Sequence, residues 1–169
     1  MKIAIIGYSG AGKSTLARQL GERYNCPVLH FDRVGWTSGW NQRDKDEGRT
    51  IVTRFFDEND AWIVDGNWGV FDKGRRFNEA DRIIFLDYPR RICLVRAIRR
   101  YWEHRGRTRD DMAEGCEEKF DFEFFRWIMF GGRAKRPKAY YHRVQDRYSE
   151  KVLRIRSDKE LAEMLVWLP

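Results

Sequence analysis

The sequence predicts an α/β fold of three layers, in which helices cover both faces of a five-stranded parallel sheet. Three observations lead to this prediction. Short apolar runs alternate along the chain with segments of helical periodicity. These runs are apolar at nearly every position, as in strands that are buried on both faces. A glycine-rich turn follows the first run, and three later runs end in an aspartate.

Five segments have the length and apolar character of buried strands, and they are Lys2–Ile6, Pro27–Phe31, Ala61–Val64, Arg82–Leu86 and Val152–Ile155. Between them, apolar residues at three- and four-residue spacing predict helices. These are Lys13–Tyr24, Asp44–Asn59, an arginine-rich segment from Pro89 to about His104, Phe120–Phe130, Pro137–Tyr148 and a last helix that Ser157 or Asp158 caps and that ends at Trp167. The polar segment 105–118 is predicted to be an arginine-rich lid within a single domain of residues 1–169.

The composition predicts a basic protein of the cytoplasm. The chain has 33 lysines and arginines against 26 aspartates and glutamates, a formal charge of +7, which favours anionic partners such as phosphorylated metabolites or nucleic acid. Its first apolar run is too short for a signal-peptide core, and no run approaches a membrane span. Cys26, Cys93 and Cys116 are widely spaced, which fits unpaired thiols in a reducing compartment.

A phosphate-binding motif occupies the turn after the first strand. Gly7, Gly12, Lys13 and Ser14 meet the G-x-x-x-x-G-K-[ST] spacing of a P-loop, whose backbone N–H groups surround phosphates at a helix N-terminus. Lys13 should bridge the β- and γ-phosphates, and Ser14 should ligate Mg²⁺. The predicted nucleotide-binding residues of this loop are Gly7, Ser9, Gly10, Ala11, Gly12, Lys13, Ser14 and Thr15. The motif predicts ATP with Mg²⁺, although no residue distinguishes ATP from GTP.

Aspartates end three of the predicted strands, and ligands of such sheets bind outside the carboxyl ends of the strands. Asp65 follows a short apolar strand and is the candidate for supporting the metal ion. Asp32 is the candidate for orienting or deprotonating a phosphoryl acceptor. The alternative is that an aspartate at this position only turns the chain. That alternative is favoured for Asp87, which stands before Tyr88 and Pro89.

Arginines are concentrated in the helix that follows the fourth strand and in the lid. Arg96, Arg99 and Arg100 share one helix face, and the lid adds Arg105, Arg107 and Arg109. Arginine side chains neutralise the charge that spreads over a transferred phosphoryl group. We therefore predict catalytic roles for Arg96, Arg100 and Arg107, with Arg96 and Arg100 also binding the nucleotide. The alternatives are a solvated basic face or a nucleic-acid surface.

The order of these features resembles the adenylate kinase-like nucleotide and small-molecule kinases. Val64-Asp65-Gly66 is similar to the apolar-Asp-Gly strand end of that superfamily, and Phe85–Pro89 is similar to its next strand and turn. The resemblance implies that Arg96 and Arg100 lie over the adenine and reach the phosphates. The whole chain also resembles the bacterial DNA topology modulation (FlaR-related) proteins. This resemblance rests on the P-loop and on four further runs, which are Leu29–Asp32, Trp62–Asn67, Arg105–Arg109 and Asp111–Cys116.

The sequence departs from adenylate kinases on the acceptor side. Those kinases place Pro-Arg after the Asp-Gly-aromatic run, and that arginine grips the acceptor phosphate. Here Asn67, Trp68 and Gly69 follow, so AMP is not the expected acceptor. Arg75 and Arg76 are the candidates to replace the missing arginine. The lid has Cys116 alone where some related lids carry four zinc-binding cysteines, so no structural zinc is predicted.

Aromatic residues are abundant on the same side. Trp36, Trp40 and Trp68 stand in predicted loops, where they would either stack on an acceptor ring or only pack together. Phe120, Phe124 and Trp127 have helical spacing and are predicted to belong to the core. His30, His104 and His142 show no metal-binding or nucleophile pattern, and no chemistry is assigned to them.

These features predict an Mg-ATP-dependent phosphotransferase that acts on a small acceptor such as a nucleoside or nucleotide. A nucleic-acid-associated ATPase is the first alternative, because a second basic run comprises Arg133, Lys135, Arg136, Lys138, Arg143 and Arg147. A regulatory nucleotide-binding module is the other. The identity of the acceptor and the oligomeric state do not follow from the sequence.

Overall fold

A computed structural model describes residues 1–72 and 74–168. The elements in chain order are β1 (Lys2–Gly7), α1 (Lys13–Tyr24), β2 (Val28–His30), α2 (Phe31–Gly35), β3 (Trp36–Thr37), β4 (Asn41–Gln42), α3 (Lys45–Glu58), β5 (Trp62–Asp65), α4 (Arg75–Glu79), β6 (Arg82–Leu86), α5 (Arg90–His104), α6 (Phe122–Met129), α7 (Lys135–Arg147), β7 (Val152–Ile155) and α8 (Asp158–Trp167). Short 3₁₀ turns cover Ser38–Trp40 and Gly131–Arg133.

Five of the strands form one parallel sheet with the order β2-β5-β1-β6-β7. The central strand β1 is buried from Ile3 onward because helices pack on both faces of the sheet. Its register pairs Ile5 with Asp65 and with Ile84, so β1, β5 and β6 end close together at one edge. The predicted three-layer α/β/α fold with a five-stranded parallel sheet is confirmed.

Helix boundaries follow local capping. The Asp44 side chain accepts hydrogen bonds from the N–H groups of Asp46 and Glu47 at 2.9 and 3.1 Å, and it therefore caps α3. Ser157 caps α8 by accepting from the Glu160 N–H at 3.2 Å. The second strand is shorter than predicted because the chain turns into the helix α2 at Phe31. No helix among the described residues is long and apolar enough to cross a membrane.

The lid rests on a small hairpin that the sequence did not predict. Strands β3 and β4 form this hairpin, and residues 105–118 lie against it. The Gly39 N–H donates to the Gly115 carbonyl at 3.1 Å, and the Cys116 Sγ donates to the Thr37 carbonyl at 3.2 Å. A second apolar cluster joins the two segments, and it comprises Met112, Ala113, Cys116, Trp36 and Trp40. The hairpin thus packs with the lid, and Trp36 also contacts Trp68, which packs against the main core.

Candidate active site

The P-loop is held in a fixed shape by its own chain and by Asn67. Gly10 and Gly12 have φ angles of +78° and +96°, which favour glycine. A Cβ at Gly10 would lie 2.3 Å from the Cys93 carbonyl oxygen, so only glycine fits there. The Asn67 Nδ2 donates to the Gly7 carbonyl at 2.8 Å and fastens the start of the loop. Asn67, the first residue after Asp65-Gly66, therefore has a structural role in holding the P-loop.

Lys13 lies within the loop and points back along it. Its Nζ donates to the Tyr8 carbonyl at 3.2 Å, so the ammonium group is kept at the centre of the glycine-rich turn. Helix α1 begins at Lys13 and directs its free N–H groups toward the same place. The lysine charge and the helix N-terminus together form a site for an anion such as a triphosphate.

The Ser14 hydroxyl and the Asp65 carboxylate meet beside the loop. The Ser14 Oγ donates to the Asp65 Oδ2 at 2.8 Å, and Asp65 is only 3% exposed. Magnesium sites in phosphate-binding proteins use one or two such oxygen ligands together with phosphate oxygens and waters. The two groups predicted to hold Mg²⁺ are therefore adjacent and have suitable chemistry.

His30 also contacts Asp65, which the sequence did not predict. Its Nδ1 lies 2.5 Å from the Asp65 Oδ1, so both carboxylate oxygens have a protein partner. Burial lowers the pKa of His30, but the hydrogen bond and the charge of Asp65 outweigh burial and raise the pKa above its usual value. The contacts with His30 and Ser14 hold the Asp65 carboxylate in one orientation.

Asp32 lies on α2 and is held by an indole. The Trp68 Nε1 donates to the Asp32 Oδ1 at 2.8 Å. The carboxylate is half-buried at the wall of the cleft, where the indoles of Trp36 and Trp40 also lie. Asp32 thus lies at the wall of the cleft, beside these indoles.

Asp87, in contrast, takes part in an ion pair away from these groups. Its Oδ2 accepts from the Arg154 Nε at 2.8 Å, which joins β6 to β7. This contact agrees with the structural role that the sequence favoured for Asp87.

The predicted arginines line the cleft but differ in what they bind. The Arg96 guanidinium donates to the Ala11 carbonyl at 2.8 Å and forms an ion pair with Asp158. The Arg100 Nε donates to the Glu118 Oε1 at 2.9 Å. Arg107 is exposed in the lid, and no hydrogen bond or ion pair of its side chain occurs within residues 1–72 and 74–168. Arg107 is therefore the most available of the three for a phosphate.

Two buried acidic residues of the lid were missed in the sequence. Glu118 binds both Arg100 and Arg109, and the distance from its Oε2 to the Arg109 Nε is 2.7 Å. Asp111 is 6% exposed and accepts from Arg109 at 2.7 Å. Burial raises the pKa of Asp111, but the neighbouring positive charge of Arg109, with smaller contributions from other neighbours, outweighs burial and keeps the pKa below its usual value. Asp111 thus brings a lid carboxylate to the cleft that the P-loop also lines.

Trp127 was predicted to belong to the core, and this was wrong. Its side chain is about half exposed, and its Nε1 donates to the Ser9 Oγ at 3.1 Å. Gly131 and Gly132 lie against its indole, which leaves no room for a Cβ at Gly131, since that atom would be 2.9 Å from the ring. Phe120 and Phe124 do pack against the core as predicted. Trp127 instead covers the P-loop from the lid side.

One cleft of about 1680 Å³ brings most of these side chains together. The predicted residues that line it are Ser9, Gly10, Ala11, Gly12, Lys13, Ser14, Thr15, Asp32, Arg96, Arg100 and Arg107. Gly7 and Asp65 are buried directly behind it. The end where an acceptor was predicted to bind is lined by Asp32, Trp36, Trp40, Gln42 and Trp68, and the lid lines the other side with Arg109 and Asp111.

Arg75 and Arg76 do not reach this cleft. Arg75 forms ion pairs with Asp57 and Glu79 on the surface. The Arg76 side chain is fully buried, where its Nε lies 3.3 Å from the Asp72 Oδ2 and its guanidinium donates to the Gly66 carbonyl at 3.0 Å. Neither arginine can replace the missing phosphate-binding residue, since both are committed to other groups.

Arg76 is expected to be a major determinant of stability. Arg76→Ala should lower the free energy of unfolding by about 3–5 kcal/mol, because Asp72 would remain buried without its partner. Arg75→Ala removes two partly exposed ion pairs and should cost about 0–1 kcal/mol for each. Urea titrations of the two variants measure these changes. An equal loss of unfolding free energy in both would contradict the stabilising role assigned to the buried Arg76.

Comparisons with known proteins show which solved structures share this fold. No protein-family model and no curated protein matches the sequence. Among solved structures, deoxyadenosine kinase from M. mycoides is 15% identical with a TM-score of 0.55, over 99% of this chain and 98% of that one. Shikimate kinase from Bacteroides thetaiotaomicron is 19% identical with a TM-score of 0.55, over 99% and 95%. An uncharacterized protein from Eubacterium ventriosum is 15% identical with a TM-score of 0.53, over 98% and 96%.

The chain has the fold of P-loop kinases. The likeness extends along nearly the whole length of each chain. At these identities it is the fold that is shared, and the chemistry of this chain has to be argued from its own residues.

Proposed function

We propose that this protein is an Mg-ATP-dependent phosphotransferase that moves the γ-phosphoryl group of ATP to a hydroxyl group of a small acceptor, such as a nucleoside or nucleotide. The observation that carries the proposal is the shared cleft. It holds an anion site at Lys13, a metal-type oxygen pair in which Ser14 lines the cleft and Asp65 lies buried behind it, and a separate carboxylate at Asp32. A simple nucleotide-binding module would not need the last of these.

Each group has a role in this scheme. Lys13 and the P-loop backbone bind the phosphates, and Ser14 and Asp65 would hold Mg²⁺, which when bound neutralises charge on the β- and γ-phosphates. Asp32 accepts the proton of the acceptor hydroxyl while the hydroxyl oxygen attacks the γ-phosphorus. The bond between the γ-phosphorus and the oxygen that bridges it to the β-phosphate breaks, and ADP is the leaving group. Arg96, Arg100 and Arg107 stabilise the charge on the transferred group. Arg96 and Arg100 would exchange their present carboxylate partners for phosphate oxygens.

The solved neighbours support this class of reaction. Two of them are kinases named for small hydroxylated molecules, deoxyadenosine and shikimate. We further infer that the chain is a single domain with a lid at residues 105–118 and that it acts in the cytoplasm. Membership of the DNA topology modulation (FlaR-related) proteins is inferred from the sequence runs that resemble them, and it leaves the proposed chemistry unchanged.

One specific surface favours the alternative ATPase. Helix α7 exposes five basic side chains, and they are Lys135, Arg136, Lys138, Arg143 and Arg147. Arg133 is not part of this surface, since its guanidinium lies 3.7 Å from the centre of the Tyr8 ring. Binding of nucleic acid to such a surface would depend steeply on salt concentration.

An acceptor panel tests the proposal. We expect Mg-ATP to yield ADP together with a phosphorylated product for at least one nucleoside, nucleotide or small alcohol, detected by mass spectrometry. Chelating Mg²⁺ with EDTA should abolish the product, because the metal ion neutralises the phosphates. If DNA stimulates ADP formation and no acceptor is phosphorylated, the ATPase alternative replaces the kinase.

A further inference from the structure

Trp68 lines the cleft and binds Asp32, the residue proposed to take the proton of the acceptor hydroxyl. We propose that Trp68 is a positioning residue that holds Asp32 in the orientation needed to receive the acceptor hydroxyl. The inference rests on the proposed function of Asp32 and adds a residue to it. Its central observation is the 2.8 Å hydrogen bond from the Trp68 Nε1 to the Asp32 Oδ1.

The hydrogen bond leaves one carboxylate oxygen available. An indole has a single N–H donor, and it binds Oδ1. Among the described residues, Trp68 is the one side-chain partner of Asp32, so Oδ2 has no protein donor competing with an acceptor. A carboxylate that is fixed through one oxygen keeps the second in a constant direction. This arrangement suits an acid–base group that must meet a hydroxyl at hydrogen-bonding distance.

Gly35 of helix α2 leaves the space in which the Trp68 indole approaches Asp32. Asp32 and Gly35 are three residues apart and therefore lie on the same face of this short helix. The indole of Trp68 covers that face. A Cβ at Gly35 would lie 2.5 Å from the Trp68 Cε2, so a larger residue would push the indole away from the carboxylate. Gly35 is thus required for the contact between Trp68 and Asp32.

Neighbouring rings prevent the indole from turning. Phe71 is stacked on Trp68, with ring centres 5.5 Å apart and an angle of 15° between the planes. Trp36 meets it edge-on at 5.4 Å and 88°. These contacts occupy much of the Trp68 ring, which fits a residue that supports Asp32 better than one that stacks on the acceptor. Trp36 and Trp40 are the indoles left to contact an acceptor ring.

Trp68→Phe tests the inference because it retains an aromatic ring and removes the N–H. We expect kcat for acceptor phosphorylation to fall on the order of 10-fold, which is typical for the loss of a hydrogen bond to a charged group, while KM for ATP stays within about 2-fold. Trp102→Phe makes the same chemical change at an exposed tryptophan of α5 and should leave both constants unaltered. A packing role alone would not separate kcat from KM in this way.

The dependence on Asp32 is measured in a second background. In an Asp32→Asn enzyme, adding Trp68→Phe should lower kcat by less than about 2-fold, since two residues that act as a unit are not additive. A full further 10-fold loss there, or no loss from Trp68→Phe in the native protein, would overturn the inference. If Asp32→Asn alone retains full kcat, then it is the proposed role of Asp32 that fails.

A spectroscopic measurement keeps the test independent of activity. The indole N–H signal of Trp68 is identified in ¹H–¹⁵N spectra as the one that Trp68→Phe removes. It should be protected from exchange with water in the native protein, and Asp32→Ala should both shift it and remove the protection. An unprotected signal that does not respond to Asp32→Ala would show that the hydrogen bond is absent, even if no acceptor were phosphorylated.

Discussion

Replacing Lys13 by alanine is expected to lower kcat/KM for phosphoryl transfer by about 10²–10³-fold, the usual cost of removing a group that stabilises transition-state charge. The Lys13 Nζ is the one ammonium group within the P-loop, and it lies 3.2 Å from the Tyr8 carbonyl at the centre of the turn. The loop shape should persist, because glycine conformations and the Asn67 contact maintain it. Steady-state kinetics with a phosphorylated-product readout measure the loss, and a thermal melt confirms folding.

Lys159→Ala provides the matched control for this variant. Lys159 is an exposed lysine of α8, with a distance of 3.9 Å from its Nζ to the Glu163 Oε1. Its removal changes the net charge equally and should leave the kinetics unchanged. If Lys13→Ala retained native kcat/KM, the anion site would not be at the P-loop and the proposed mechanism would be wrong.

Changing Asp32 to asparagine is expected to lower kcat by about 10²–10⁴-fold, the range that acid–base catalysis contributes. The substitution preserves the shape of the side chain, and the amide oxygen can still accept the Trp68 N–H. It removes only the ability to take a proton from the acceptor. ATP binding should be retained, because the P-loop, Ser14 and Asp65 are unaltered. Quenched assays of product formation measure kcat, and equilibrium titrations with ATP measure binding, so the two can be compared separately.

Asp146→Asn tests whether the loss of a negative charge alone has an effect. Asp146 is exposed on α7 and does not line the cleft. We expect native kcat for this variant. A comparable decrease in both variants would show that net charge, rather than proton transfer at Asp32, controls the rate.

The P-loop and the strand ends could be predicted because their signals are local. The glycine spacing determines the turn, and a buried strand before it determines where the turn lies. Asp32 and Asp65 follow apolar runs, and parallel strands bring their carboxyl ends to one edge. The sequence therefore predicted which residues would be near one another even though Ser14 and Asp65 are 51 positions apart.

The contacts of the arginines could not be predicted, because a run of cationic residues in the sequence does not show which groups their side chains bind. Arg100 and Arg109 converge on Glu118 only after the lid has folded back on α5. Arg76 was a candidate for the acceptor site and is in fact buried against Asp72. In both cases a buried carboxylate decides where the guanidinium lies.

Aromatic residues show the same division. Helical spacing predicted a core position for Trp127, but spacing cannot tell a core face from the wall of a cleft. The indole of Trp127 reaches Ser9 and that of Trp68 reaches Asp32. Gly131 leaves room for the first ring, and Gly35 leaves room for the second. The acceptor end of the site thus depends on packing between α2, the hairpin and the lid.

The sequence by itself determined the three-layer fold, the P-loop and the acidic strand ends, because these follow from local spacing and from the geometry of parallel strands. The tertiary structure alone decided which side chains complete the cleft. Asp111 lines it from the lid, Trp68 binds Asp32 at its wall, and His30 binds Asp65 behind it. The last two contacts join residues far apart in the chain, and such contacts leave no periodic pattern in the sequence.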